Sequence, residues 1–247
     1  MAEVVQLRVP KSAGGRPRTV RHTAVDLDAV TDAPRTIGWR PTFEVDDWGR
    51  DAWMIKALGP VGRMRWAVSV GGAQHVPAKG PALLVANARR FSLASLYASW
   101  ALSSATGRVV RFVGRPDTAP VGPFMRRLGA LLDRPDEVAN ALRNGEVVLI
   151  SAQSTNHPRH VGTIRHEQLT GAVLLGAPVL PVATMSNTVG RAARVEVAPP
   201  LRRRRRRRGP LAEVELADDL QHHLQRQLDE LGGYRTGVDA FDWLGDR

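Results

Sequence analysis

Cysteine is absent from the 247-residue chain, so disulfides and thiolate metal sites are excluded and the compartment must be read another way. Met1–Lys11 offers no apolar h-region, so no secretory signal is expected. Long apolar runs are missing too. The longest uncharged stretch, Gln168–Gly190, is broken by Gly171, Gly176, Pro178 and Pro181, which suit a helix–turn–strand better than a membrane span. Acidic residues are scarce in one place: no Asp or Glu occurs from Ala52 to Pro116. Aromatics are lean at 5%, a level that still allows a packed core. These absences point to a cytoplasmic protein, soluble or peripheral at the inner membrane face.

What is present is ordinary apolar content, 43%, in a chain long enough for one domain of about 200 residues. The formal net charge of +11 calls for anionic company: nucleic acid, lipid headgroups or phosphorylated ligands. Seven of the positive charges lie together at Arg202, Arg203, Arg204, Arg205, Arg206, Arg207 and Arg208.

Residues 1–45 show no sustained period and read as a mobile basic arm. Asp47 is positioned to cap a helix that carries Trp48, Trp53 and Leu58 and stops at Gly59-Pro60. Short buried-strand patterns follow at Ala82–Ala86, Val109–Val113, Val147–Ile150, Val179–Ala183 and Arg194–Val197. Helical patterns alternate with them at Phe91–Ser104, Pro135–Arg143 and Arg165–Leu175, the last ended by Gly176. This alternation predicts a single α/β domain over residues 46–200, with a mainly parallel central sheet flanked by helices. An arginine-rich loop (201–210), an amphipathic helix (211–231) and a tail (232–247) complete the chain. In that helix Leu216, Leu220, Leu224, Leu228 and Leu231 form one stripe, expected to pack on the domain rather than on a partner or membrane.

Gly80-Pro-Ala-Leu-Leu-Val-Ala-Asn87 followed by Ala88-Arg89-Arg90-Phe91 resembles the first signature of the glycerolipid (lysophosphatidate-type) acyltransferases, a strand ending in Asn. Leu128–Arg134 resembles the second signature, a strand ending in Asp-Arg, here Asp133-Arg134. Gly145–Ile150 resembles the strand leading into the third, and Gly176-Ala-Pro-Val-Leu-Pro181 resembles the fourth. Asp46–Arg50 and Val76–Gly80 are similar to the lead-in of actinobacterial members. The likeness spans about residues 45–200 and implies the same α/β fold.

The resemblance also implies where the chemistry belongs. Acyl transfer to a hydroxyl needs a base, and the family uses a His oriented by an Asp five residues later. Here those positions hold Ala88 and Leu93, and a later Asp position used by some relatives falls near Ser95. The family's Phe-Pro-Glu-Gly-Thr-Arg block reads Ser151-Ala-Gln153-Ser154-Thr155-Asn156, so its carboxylate and its phosphate-pairing Arg are gone. No intact catalytic pair is expected. His75, His157, His160 and His166 stand either as solvated histidines, as a displaced base or as metal ligands without recognisable spacing; no metal site is assigned. Ser92 and Ser95 lack a nucleophile-elbow context and read as helix-start residues.

The resemblance implies binding positions at Asn87, Asp133, Arg134, Gln153, Ser154, Thr155 and Asn156. Arg134 stands either as a phosphate contact or as a surface partner of Asp133 or Asp136. Arg89 and Arg90 make the mouth of the implied pocket positive. The expected function is an acyltransferase-fold protein, catalytically impaired, that binds an anionic phospholipid or lysophospholipid at the membrane surface through Arg202–Arg208. Two alternatives stay open. One is an active enzyme with a rearranged base, taking acyl-CoA or acyl carrier protein as co-substrate and otherwise using no cofactor. The other is a basic nucleic-acid module, disfavoured because no aromatics interleave the arginine run.

Overall fold

The computed structural model describes residues 23–24, 45–87, 93–153, 160–186, 191–201 and 209–231. The expected arginine-rich loop and tail, and most of the basic arm, lie outside these residues. Helix and strand alternate through the chain: β1 (Thr23–Ala24), α1 (Ala52–Arg65), β2 (Ala67–Gly71), β3 (Ala82–Ala86), α2 (Ala94–Thr106), β4 (Val110–Arg115), α3 (Val121–Arg127) and β5 (Ala130–Leu132). Then come α4 (Pro135–Arg143), β6 (Val147–Ser151), α5 (Thr170–Leu175), β7 (Val179–Ser186), β8 (Ala192–Val197) and α6 (Pro210–Glu230). The strands form one sheet in the order β1-β2-β8-β7-β3-β6-β4-β5. β7, β3, β6, β4 and β5 run parallel, so their carboxyl ends share one edge. β8 runs antiparallel to β7, and the two-residue β1 antiparallel to β2.

The buried runs seen in the sequence are the middle strands. Every residue of β3 and the first four of β6 are wholly buried, because the sheet is covered on both faces. Alternation along β3 sends Ala82, Leu84 and Ala86 into a core shared with α1, α2 and α3. Leu83 and Val85 point into a second core under α4, α5 and α6. The leucine stripe of α6 packs there, with Leu220 and Leu224 fully buried. Each such side chain contributes about 1.5–3 kcal/mol, enough to dedicate the helix to its own domain.

The first helix departs from the sequence expectation. Its N-cap is Asp51, whose side chain accepts from the Met54 amide at 3.0 Å, and not Asp47. It also runs through Gly59-Pro60 to Arg65. A proline inside a helix costs about 3 kcal/mol. Met54, Ile55 and Leu58 pack against the core before it, and the Trp66 amide closes on the Gly62 carbonyl after it, which offsets that cost. Four elements gave no distinct pattern: β2, α3, the three-residue β5, although it lies within the segment resembling the second signature, and the two-residue β1, which pairs with β2 inside the segment read as a mobile arm. Arg165–Leu175 is not one helix but a 3₁₀ turn, His166–Leu169, leading into α5.

Candidate functional site

The chain leaving β3 forms α2 on one face of the sheet, and the chain leaving β6 forms α5 on the other. Neighbouring parallel strands whose connections diverge in this way open a crevice at their carboxyl ends, the usual ligand position in such sheets. Asn87, Asp133 and Gln153, from segments that resemble the family signatures, sit at this edge.

Asn87, one residue past β3, is held by Thr184 of β7. Its Nδ2 donates to the Thr184 carbonyl at 3.0 Å, and its Oδ1 accepts from the Thr184 amide at 2.6 Å and from Thr184 Oγ1 at 3.1 Å. The side chain therefore acts as one more rung of the ladder and locks the ends of β3 and β7 together. Tyr97, in the first turn of α2, hydrogen-bonds the Thr184 and Ser186 side chains and packs on Trp66 with ring centroids 5.6 Å apart. Burial pushes its phenol above the usual tyrosine range, and the two hydrogen bonds only partly oppose that.

Across the crevice, Ser95 Oγ of α2 meets Ser151 Oγ at the end of β6, 2.8 Å apart. Hydroxyls at both positions give a neutral pair that cannot support an imidazolium. Leu93, at the family's Asp position, precedes α2 and is exposed. Beyond β6 the Ala152 amide returns to the Ala86 carbonyl at 2.8 Å and the Gln153 amide to the Thr163 carbonyl at 2.8 Å. That second contact needs a glycine: a Cβ on Gly162 would sit 1.9 Å from the Gln153 carbonyl oxygen. Ala88, Arg89, Arg90, Ser92, Ser154, Thr155, Asn156 and His157 lie outside the described residues.

Asp133 and Gln153 do come together. They line a cleft of about 360 Å³ with Gly114, Ser151, Arg165 and Gln168 at the ends of β4, β5 and β6. Asp133 accepts from Arg165 Nη2 and from Gln168 Nε2. Arg134 does not line this cleft; it pairs at 3.0 Å with Asp117 on the exposed surface, not with Asp133 or Asp136. The cation of the cleft is Arg165, which nothing in the sequence singled out among 35 lysines and arginines.

A second cleft, about 170 Å³, lies between α1 and α2. Ile55, Trp66, Val68, Tyr97, Trp100 and Ala101 make its walls mostly apolar, and Arg50, Lys56 and Arg63 also line it. Tyr97 is thus a wall of this cleft while its hydroxyl shares Thr184 with Asn87, so the cleft adjoins the end of β3. The described histidines line neither cleft. His75 Nδ1 lies 2.9 Å from the Val197 carbonyl, a structural contact, and His166 sits 3.6 Å from Glu167.

A solved structure resembles this chain in fold: the 1-acyl-sn-glycerophosphate (LPA) acyltransferase PlsC from Thermotoga maritima, with a TM-score of 0.50 and 20% identity, over 67% of this chain and 72% of that one. This chain has the PlsC acyltransferase fold. The likeness in fold stands without a likeness in sequence, since no family model and no curated protein matches.

Proposed function

We propose that the protein keeps the lipid-binding architecture of a glycerolipid acyltransferase and has lost its efficient catalysis. The observation that carries this reading is the make-up of the crevice between β3 and β6. Its described polar groups are Asn87, committed to Thr184, the Ser95–Ser151 hydroxyl pair, Gln153, and Asp133, which is engaged by Arg165 and Gln168. None of them is a histidine, and the one carboxylate is tied to a guanidinium. The sequence adds Ala88 where the family places its His, and no carboxylate from Ala52 to Pro116. Positioned general-base catalysis is worth about 10²–10⁴-fold, which is the expected scale of the loss.

The two clefts suit the two ends of a lysophospholipid. The apolar walls between α1 and α2 accept an acyl chain, and Arg165, held by Asp133, offers a guanidinium to a phosphate head. The Ser95–Ser151 hydrogen bond links their walls, since Ser95 lies two residues before Tyr97 on α2 and Ser151 lines the polar cleft.

A lysophosphatidate with a brominated acyl chain tests the chain site, because bromine quenches indole fluorescence on contact. Trp66 and Trp100 line the cleft, and saturable quenching is expected that falls by more than half in Trp66→Phe/Trp100→Phe. Quenching unchanged by that double substitution places the chain elsewhere and removes the reading.

A further inference from the structure

The outer face of α1 is apolar and uncovered. Trp53, Ala57, Pro60, Val61 and Met64 are all exposed, Trp53 at 57% and Met64 at 70%, and their spacing puts them on one side of the helix. Lys56 lies within the same stripe, and Arg63 and Arg65 follow in its last turn. The charges of the described helices sort in the same sense. On this side of the sheet α1, α2 and α3 contain no Asp or Glu, and their charges are Lys56, Arg63, Arg65, Arg126 and Arg127. On the opposite side α4 opens with Asp136 and Glu137 and ends on Arg143, and α6 carries six acids against the single Arg226. α3 adds exposed Val121 and Phe124 to the apolar, cationic side.

We propose that the outer face of α1, with its exposed apolar stripe and flanking cations, docks on an anionic phospholipid leaflet. An apolar stripe with Trp and Lys/Arg around it lies stably at the headgroup boundary, where the indole and the ammonium both find their preferred surroundings. A protein partner of matching chemistry would have to be apolar and acidic over the same length, whereas an anionic leaflet presents both properties everywhere. The acids of α4 and α6 face away from the lipid in this orientation. No described helix is long and apolar enough to cross a membrane, so the contact is a surface one. Lys56 belongs both to the stripe and to the lining of the apolar cleft, so docking brings that cleft against the leaflet. The proposal rests on the lipid-ligand reading above and says where such a ligand would enter.

Co-sedimentation with vesicles tests it, comparing phosphatidylcholine alone with phosphatidylcholine mixed with phosphatidylglycerol. The native chain is expected to bind the mixed vesicles and to bind the neutral ones weakly. Trp53→Ser/Met64→Ser is expected to lose about tenfold or more in partitioning, and Lys56→Gln about fivefold. Leu174→Ser/Leu211→Ser, which alters exposed leucines on the opposite side, is expected to leave binding unchanged. Val61→Ser/Met64→Ser replaces the first pair should that variant lose its native thermal midpoint. Binding that ignores lipid charge, survives the α1 substitutions or falls equally with the control pair overturns the docking face. Quenching by the brominated lipid in the absence of vesicles then shows whether the ligand reading survives without it; α1-dependent docking without quenching would reject the ligand reading alone.

Discussion

Replacing Asp46 and Glu146 together by alanine is expected to cost about 3–5 kcal/mol of folding stability, because it strands a buried cation. Arg111 of β4 has a side chain only 3% exposed, and its Nη2 reaches Asp46 at 2.8 Å and Glu146 at 3.1 Å. Its guanidinium carbon lies 5.7 Å from the Trp48 ring centroid, while Nε and Nη1 have no hydrogen-bond partner among the described residues. Without the carboxylates nothing balances this charge. Arg111→Met should cost less, since Asp46 and Glu146 are partly exposed and can hydrate. Chemical denaturation separates the two, and thermal melting should show a drop on the order of 10 °C for the double variant. A larger loss for Arg111→Met than for the double variant would contradict this account of the cluster.

The same cluster predicts an acid limb. Burial raises the Asp46 pKa, but hydrogen bonds from Arg111 and the Arg50 and Trp48 amides, with the attraction of Arg111, outweigh it and leave the group below its ordinary 3.8. A carboxylate depressed on folding contributes stability above its unfolded value, and that contribution is lost as the pH falls from there through the lower folded value. Asp46→Asn should therefore flatten the stability profile below about pH 4.

Arg165→Met is expected to weaken lysophosphatidate binding by about tenfold or more while leaving an uncharged monoacylglycerol unaffected. A charge-assisted hydrogen bond is worth roughly 1.5–3 kcal/mol, and each 1.4 kcal/mol is about a factor of ten. Arg134→Gln serves as the contrast. The family resemblance points to Arg134 for phosphate, but the structure commits it to Asp117 at the exposed surface. Calorimetric titration of both variants should find a change only for Arg165; the reverse result would return the head group to Arg134.

The difference between these two arginines shows what the sequence could and could not reveal. The middle strands were legible because burial on both faces demands unbroken apolar runs, as in Ala82–Ala86 and Val147–Ile150. The α6 stripe was legible because leucines four apart must share a side. β5 was too short to show a period, and Asp47 was read as the cap of α1 where the structure uses Asp51. What favours Asp51 is tertiary: its amide donates to the Arg127 carbonyl at 2.8 Å, far along the chain. At the carboxyl edge of the sheet, Asn87 and Asp133 were singled out through the signatures, but their partners Thr184 and Arg165 come from distant segments without any local mark. Charge pairing depends on which loops meet, and one sequence does not encode that visibly.

The central claim is that a lipid site persists where the catalytic base does not. A single mass-spectrometric assay addresses it most directly: protein saturated with lysophosphatidate, as judged by titration, is mixed with acyl-CoA or acyl-loaded carrier protein, and the diacyl product is counted. The account predicts saturable binding and no histidine-dependent product above the enzyme-free blank. Turnover above that blank, abolished by His160→Ala or His166→Ala, would contradict it and show that a displaced base has taken over the work.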